Sequence, residues 1–201
     1  MITDTAPSAA TETVTLTTAT GASPGSGSAP STDTGSLAHI NATLGNGVTY
    51  DPGSNQPQTD SLVFTVADSL GGSDTVNFIF NQGGAGPDIS LTGTSGKDVI
   101  FATENTDTLT GGAGADQFVF RTSDGLDTIT DFTPGQDHID LRAFLAIDSS
   151  NIDDWLSSHA AESPANSADV LITVDDDKSI LLKHVALGSL IAGDFIVSPH
   201  A

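Results

Sequence analysis

Three consecutive nine-residue segments carry an acid in fixed register: GTSGKDVIF at 93–101, ATENTDTLT at 102–110 and GGAGADQFV at 111–119. Asp98, Asp107 and Asp116 share the sixth position, and Ile100, Leu109 and Phe118 share the eighth. Aspartate supplies the hard anionic oxygen that Ca²⁺ prefers. Glycines at the first, second and fourth positions allow positive φ and bring carbonyl oxygens inward without a Cβ clash. The third segment fits the pattern G-G-x-G-x-D-x-U-x, which marks a Ca²⁺-binding parallel β-helix repeat. Two nonapeptides make one coil, so loops eighteen residues apart stack on one side. Asp98 and Asp116 form such a pair, and an ion between their loops would relieve their repulsion.

These loops need strands to hold them. The apolar eighth positions belong to short strands whose side chains point into the interior. Upstream, Leu62, Phe64 and Val66 alternate with polar neighbours, as do Val76, Phe78 and Phe80. With the turn at 68–73 between them they form a hairpin with one half-buried face. Residues 13–18 could add one alternating strand, whereas 21–30 (GASPGSGSAP) read as a flexible linker. Downstream, Asn151 is placed to cap a helix that begins at Ile152, with Asp153 and Asp154 favouring its N-terminus. Ile152, Trp155 and Leu156 give that helix a packing face, and Trp155 reads as core. Residues 170–174 and 179–182 form a further hairpin across the acidic turn at 175–177.

At the repeats the chain resembles the RTX family, the β-roll proteins exported by bacterial type I secretion systems. The stretch 127–141 (DTITDFTPGQDHIDL) resembles the segment that closes the roll in serralysin-type proteases and large adhesins. Residues 180–185, Leu190 and 194–197 (DFIV) resemble their C-terminal sandwich and secretion signal. The likeness covers residues 90 to 197. Segment 47–52 and the upstream hairpin resemble the last strands of cadherin-like or Ig-like adhesin repeats. The resemblance implies a ligand set in which Thr94, Gly96 and Asp98 of one loop face Gly111, Ala113 and Asp116 of the next. It also implies a further ion held by Gly112, Gly114 and Asp116 with Asp131. Asp107 is a further candidate metal ligand, with Glu104 beside it, although it sits in a degenerate loop and the loop due to stack on it places Gly125 where an Asp is expected.

Composition narrows the function classes. The chain has 201 residues, with 26 acidic against 5 basic and a net charge of −21. That balance argues against nucleic acid, whose phosphates call for Lys and Arg, and against anionic membrane surfaces. There is no cysteine, which removes disulfides and thiolate metal sites. No run approaches a membrane span, and residues 1–4 show neither the basic nor the apolar region of a signal peptide. His39, His138, His159, His184 and His200 have no metal-ligand spacing, and H-E-x-x-H is absent. The match of 21–25 to G-x-S-x-G lies in the linker without its strand and helix. Asn41-Ala-Thr43 matches a glycosylation sequon, a frequent accident.

The expected fold is all-β: a short parallel β-roll of nonapeptide repeats with a C-terminal β-rich cap, preceded by a partial cadherin/Ig-like β-unit. The expected organisation is a low-complexity linker at 1–36, the adhesin-like unit at 37–82, a linker at 83–92, the roll at 93–141, and cap with secretion signal at 142–201. The expected function is non-enzymatic. A monomeric, extracellular, calcium-binding module folds on Ca²⁺ outside the cell after type I export through its C-terminus. The alternatives are the targeting domain of a secreted hydrolase, or a stand-alone adhesin or matrix protein with a surface or polysaccharide partner. Residues 194–201 are expected to serve export and not calcium binding.

Overall fold

The structure is a computed structural model that describes residues 12–18, 32–36, 38–40, 42, 59–69, 71–81, 88–122, 125–175 and 178–199. The chain divides into two compact units, residues 1–78 and 79–201. The first contains strands β1 (Glu12–Thr18), β2 (Thr32–Gly35), β3 (Thr59–Asp68) and most of β4 (Ser73–Asn81). β1 lies antiparallel between β2 and β3, and β4 pairs with the other edge of β3. Gly71 turns the hairpin with φ +94°, and Thr65 and Thr75 link their hydroxyls across it at 3.1 Å. Phe64 and Phe78 meet edge to face at 5.3 Å. β1 falls on the alternating segment at 13–18, and β2 adds a second strand inside the stretch 1–36. Threonine is β-branched and suits a pleated strand even where composition looks low in complexity. Residues 21–30 and 47–52 lie outside the described residues.

The second unit alternates strands between two sheets. β5 (Ser90–Thr92), β7 (Thr108–Thr110) and β9 (Leu126–Ile129) lie parallel in one sheet. β6 (Lys97–Phe101), β8 (Gln117–Val119) and β10 (His138–Asp140) lie parallel in the other. Each step of the chain therefore crosses from sheet to sheet, which is a parallel β-roll. The register is eighteen residues between Ser90 and Thr108 and between Val99 and Gln117.

Two apolar columns fill the roll. Leu91, Leu109, Ile129 and Leu182 stand in register in one sheet, and Ile100, Phe118, Ile139 and Phe195 in the other. The six members from β5 to β10 are at most 1% exposed. Burying a side chain of this size contributes roughly 1.5–3 kcal/mol. Leu91 is nine residues before Ile100, so the roll begins at β5, inside the stretch read as the linker 83–92. The apolar repeat, not the glycine repeat, marks its true start.

The cap completes both sheets. Helix α1 (Ile152–His159) leads into β11 (Ala160–Ser163), β12 (Asn166–Asp175) and β13 (Lys178–Leu182), and β13 runs parallel to β9. β14 (Phe195–Ile196) runs parallel to β10. Trp155 is partly buried against the core, stacked on His159 at 4.7 Å and edge-on to Phe195 at 6.4 Å. Asn151 precedes the helix without a side-chain cap. Its amide instead accepts from Asp148 N–H at 3.0 Å and donates to the Ala146 carbonyl at 2.9 Å.

Candidate metal centre

The loops that enter β6, β8 and β10 share one side of the roll (side one), and those that enter β7 and β9 share the other (side two). Each loop ends in a buried aspartate: Asp98, Asp116 and Asp137 on side one, Asp107 and Asp127 on side two. Two hydrogen-bond patterns recur among them, the second at Asp98, Asp107 and Asp137. The backbone N–H of one aspartate donates to the carboxylate of the next coil, Asp98 to Asp116 Oδ1 at 3.0 Å and Asp116 to Asp137 Oδ1 at 3.0 Å. Asp107 does the same to Asp127 Oδ1 at 2.8 Å. The other carboxylate oxygen accepts the amide four residues back. Thr94 donates to Asp98 at 2.7 Å, Thr103 to Asp107 at 2.8 Å and Thr133 to Asp137 at 2.8 Å.

Asp116 departs from the second pattern. The N–H groups of Gly111 and Gly112 turn instead to Asp131 Oδ1 and Oδ2, each at 2.8 Å. Asp116 Oδ2 is left buried with no hydrogen-bond partner. The cause is local backbone geometry: Gly112 and Gly114 have φ of +97° and +125°, a region that L side chains rarely enter. The neighbouring coil also comes close. A Cβ on Gly112 would collide with the Thr94 carbonyl, and one on Gly114 with the Gly96 carbonyl. A Cβ on Gly93 would meet the Gly111 carbonyl. Carbonyl oxygens of Thr94, Gly96 and Gly111 therefore lie between the stacked loops, where only glycine leaves room.

Electrostatics mark the same residue. Burial pushes the Asp116 carboxyl up to about 6, the Asp98 amide opposes this, and Asp137, Asp98 and Asp131 add like-charge repulsion. Burial also raises Asp137, against hydrogen bonds from Asp116 and Thr133. A carboxylate in this state gains most from a cation.

Nine of the ten residues singled out from sequence come together on side one: Thr94, Gly96, Asp98, Gly111, Gly112, Ala113, Gly114, Asp116 and Asp131. Ala113 meets Thr94 through its N–H, at 3.2 Å from the carbonyl oxygen. Gly114 offers its carbonyl to Gln136 Nε2 of the closing loop. Asp107 lies on the opposite side of the roll. The residue in register with it is Asp127, not Gly125, because Thr108 pairs with Thr128. Two inserted residues shift the coil from eighteen to twenty, and Gly125 instead packs under the Asn105 carbonyl. Asp127 and Asp137 escaped the nine-residue rule. The motif Asp-x-apolar finds both, since Asp98, Asp107, Asp116, Asp127 and Asp137 each precede a buried apolar residue by two.

Among the described residues no three His, Cys, Asp or Glu side chains gather at one point. A cation here would rest on carbonyl oxygens and one or two carboxylates, an all-oxygen donor set that suits Ca²⁺. The buried, unpartnered oxygen of Asp116 and the glycine-lined gap fit such an ion.

Tightly wound parallel coils with aspartate-bearing glycine loops define a β-roll of the calcium-binding repeat class. The chain belongs to the family described as Peptidase M10 serralysin C terminal, whose model matches residues 82–197, more than half of the sequence. That family is the non-catalytic, calcium-binding C-terminal part of secreted proteins. Among solved structures the chain is similar to the AlgE6R3 subunit of the Azotobacter vinelandii mannuronan C5-epimerase, at 20% identity and TM-score 0.40, over 57% of this chain and 81% of that one. It is also similar to the extracellular lipase LipA of Serratia marcescens, at 16% identity and TM-score 0.41, over 67% of this chain. The match spans 29% of the lipase. No curated protein sequence matches the chain.

Proposed function

We propose that this chain is the calcium-dependent folding module of a secreted protein, held unfolded inside the cell and assembled on Ca²⁺ outside it after type I export. The observation that carries the reading is Asp116 Oδ2, buried without a partner between two glycine-turned loops. Thr94, Gly96, Asp98, Gly111 and Ala113 would hold one ion with Asp116. Gly112, Gly114 and Asp131 would hold another with the same carboxylate. At the low free Ca²⁺ of a cytosol, like-charged aspartates oppose the stacking of the coils. Near-millimolar Ca²⁺ outside suffices for sites of about 10⁻⁴–10⁻³ M, and metal binding energy then becomes folding energy.

Segment 194–197 would present the export signal while the chain is unfolded. Once folded, Asp194 is 1% exposed, its carboxylate accepting from Gly135 N–H at 2.7 Å and Ile191 N–H at 2.9 Å. The same residues therefore tie β14 to the closing loop of side one, a structural role that sits beside an export role in the unfolded chain. Far-UV circular dichroism of the full chain in EDTA, then in Ca²⁺ or Mg²⁺, tests the proposal. Ca²⁺ should raise β content cooperatively and Mg²⁺ should not, since Mg²⁺ demands a tight octahedron. Identical spectra in EDTA and Ca²⁺ would sink it.

A further inference from the structure

Side two also buries aspartates on adjacent coils, and its loop 102–107 is built differently from the glycine loop of side one. Asp107 and Asp127 are 1% and 2% exposed and sit on adjacent coils. Loop 102–107 has Ala102, Thr103 and Asn105 where the intact nonapeptide has glycines, and none of its residues has positive φ. Thr103 donates both its N–H, at 2.8 Å, and its hydroxyl, at 2.7 Å, to Asp107 Oδ2. Ile89 N–H donates to Asp107 Oδ1 at 3.2 Å. The Thr103 hydroxyl in turn accepts from Asn105 N–H at 3.4 Å, which points its hydrogen at the carboxylate. On side one Thr94 holds Asp98 in a similar way, accepting from Gly96 N–H at 3.1 Å, but its hydroxyl is shared between both carboxylate oxygens at 3.1 and 3.3 Å. Among the described residues no amide like that of Ile89 donates to Asp98. The unmatched polar atom of loop 102–107 is a donor, the buried Nδ2 of Asn105. That of the intact loop is an acceptor, Asp116 Oδ2.

We infer that Thr103 takes the place of a cation at Asp107, so that loop 102–107 contributes no carboxylate to the Ca²⁺ sites of the roll. This rests on the calcium reading of side one and removes Asp107 from the ligand set. A hydroxyl and two amides satisfy the carboxylate, so a cation there would have to displace three donors and leave them unpaired. The threonine loop also needs no left-handed residue, so it places its aspartate without glycines at those positions.

Calcium stoichiometry of the full chain, measured by isothermal titration with CaCl₂, tests the inference alongside melting in saturating Ca²⁺. Asp116→Asn should bind at least one ion fewer than wild type. Thr103→Val and Asp107→Asn should bind the wild-type number with affinities within about twofold, and melt several degrees lower, as the loss of a charged-group hydrogen bond in a small domain does. An ion lost in Thr103→Val, or in a folded Asp107→Asn, overturns the inference. Where Asp107→Asn does not fold, Thr103→Val decides. A Thr103→Val protein that melts with wild type also overturns it. Full stoichiometry in Asp116→Asn would instead refute the reading of side one, and leave the side-two outcome to be read from Thr103→Val.

Discussion

Asp116 in the roll and Asp140 at its junction with the cap are both buried aspartates, and they titrate in opposite directions. Burial raises Asp140 too, but the hydrogen bonds and charge of Arg142, with Gln117, outweigh it and hold the carboxyl below its usual range. Arg142 grips Asp140 with Nε at 3.0 Å and a terminal nitrogen at 2.6 Å. Asp169 in the cap likewise has Lys183 at 2.9 Å and the His184 amide at 2.9 Å, and its carboxyl is lowered. Asp140 and Asp169 thus have their counter-charges in the chain itself, whereas Asp116 is met by a backbone amide and carries a buried oxygen with no hydrogen-bond partner. A domain with internal cations folds on its own terms. One whose buried acids wait for an external cation folds where that cation is found.

The comparison is broken most severely by closing the gap on side one. In Gly112→Ala the new Cβ would strike the Thr94 carbonyl, and the backbone holds φ +97°. Neither strain can relax without separating the coils, so loss of several kcal/mol is expected, in the range of about 3 kcal/mol or more. A calcium titration followed by circular dichroism should show no folding transition below about ten times the wild-type midpoint. A wild-type midpoint would mean that the loops do not stack as described.

Arg142→Ala tests the other half of the comparison. It removes the cation from Asp140, whose side chain is 3% exposed, and leaves Gln117 Nε2 as a side-chain donor at 2.7 Å. A loss of about 2–3 kcal/mol is expected, tempered because the guanidinium itself is largely exposed. The loss should persist at saturating Ca²⁺, measured by urea unfolding, because this counter-charge is not supplied by the metal. Rescue by added Ca²⁺ would show that the cap shares the chemistry of the roll.

Much of this contrast is written in the sequence, and the part that is not has a physical cause. The roll was legible because side-chain type repeats with the coil: Asp98 and Asp116 stand eighteen residues apart, and so do Ile100 and Phe118. The nine-residue count fails between Asp107 and Asp127 because an insertion changes loop length without touching the strand interior. Ile129 still stands in register with Leu109, while the count of nine no longer reaches Asp127. The start of the roll at Leu91 was hidden for the opposite reason, since an apolar position persists there without its glycine loop. The hydrogen-bond economy of Asp107 against Asp116 depends on where single amides point. Composition carries no record of that, since Thr94 and Thr103 share a repeat position and only Gly112 differs there.

Changing pH should move the two aspartates apart. Asp116 has a folded value of about 6, above the ordinary carboxylate value, so the metal-free fold is favoured at low pH and loses stability as pH rises through about 6. Asp140 has a lowered value, so its contribution is present above the unfolded value and is lost as pH falls through the folded one. In EDTA, β content should therefore increase between pH 7.5 and 5 and fall again below about pH 4. In Ca²⁺ the midpoint should rise as pH drops below 6, because protons and the cation compete for Asp116. An apo fold that weakens steadily from pH 7.5 to 5 would show that the Asp116 carboxylate is already neutralised by the protein.

The smallest effect is expected at Gly135, and it separates close approach from backbone strain. Gly135 lies in the closing loop of side one with φ +79°, as left-handed as Gly112. A Cβ there would meet nothing within 4 Å. Its N–H to Asp194 is a backbone bond that alanine keeps. Gly135→Ala should then cost only the left-handed penalty of about 1–2 kcal/mol, against the larger loss in Gly112→Ala. In a calcium titration the midpoint should shift modestly with the number of bound ions unchanged. If Gly135→Ala is as damaging as Gly112→Ala, φ alone governs both positions, and the contact between stacked coils does not set the calcium requirement. If it is nearly silent while Gly112→Ala abolishes folding, the space between loops 93–98 and 111–116 is what the glycines preserve, and Asp116 faces a gap held open for an ion.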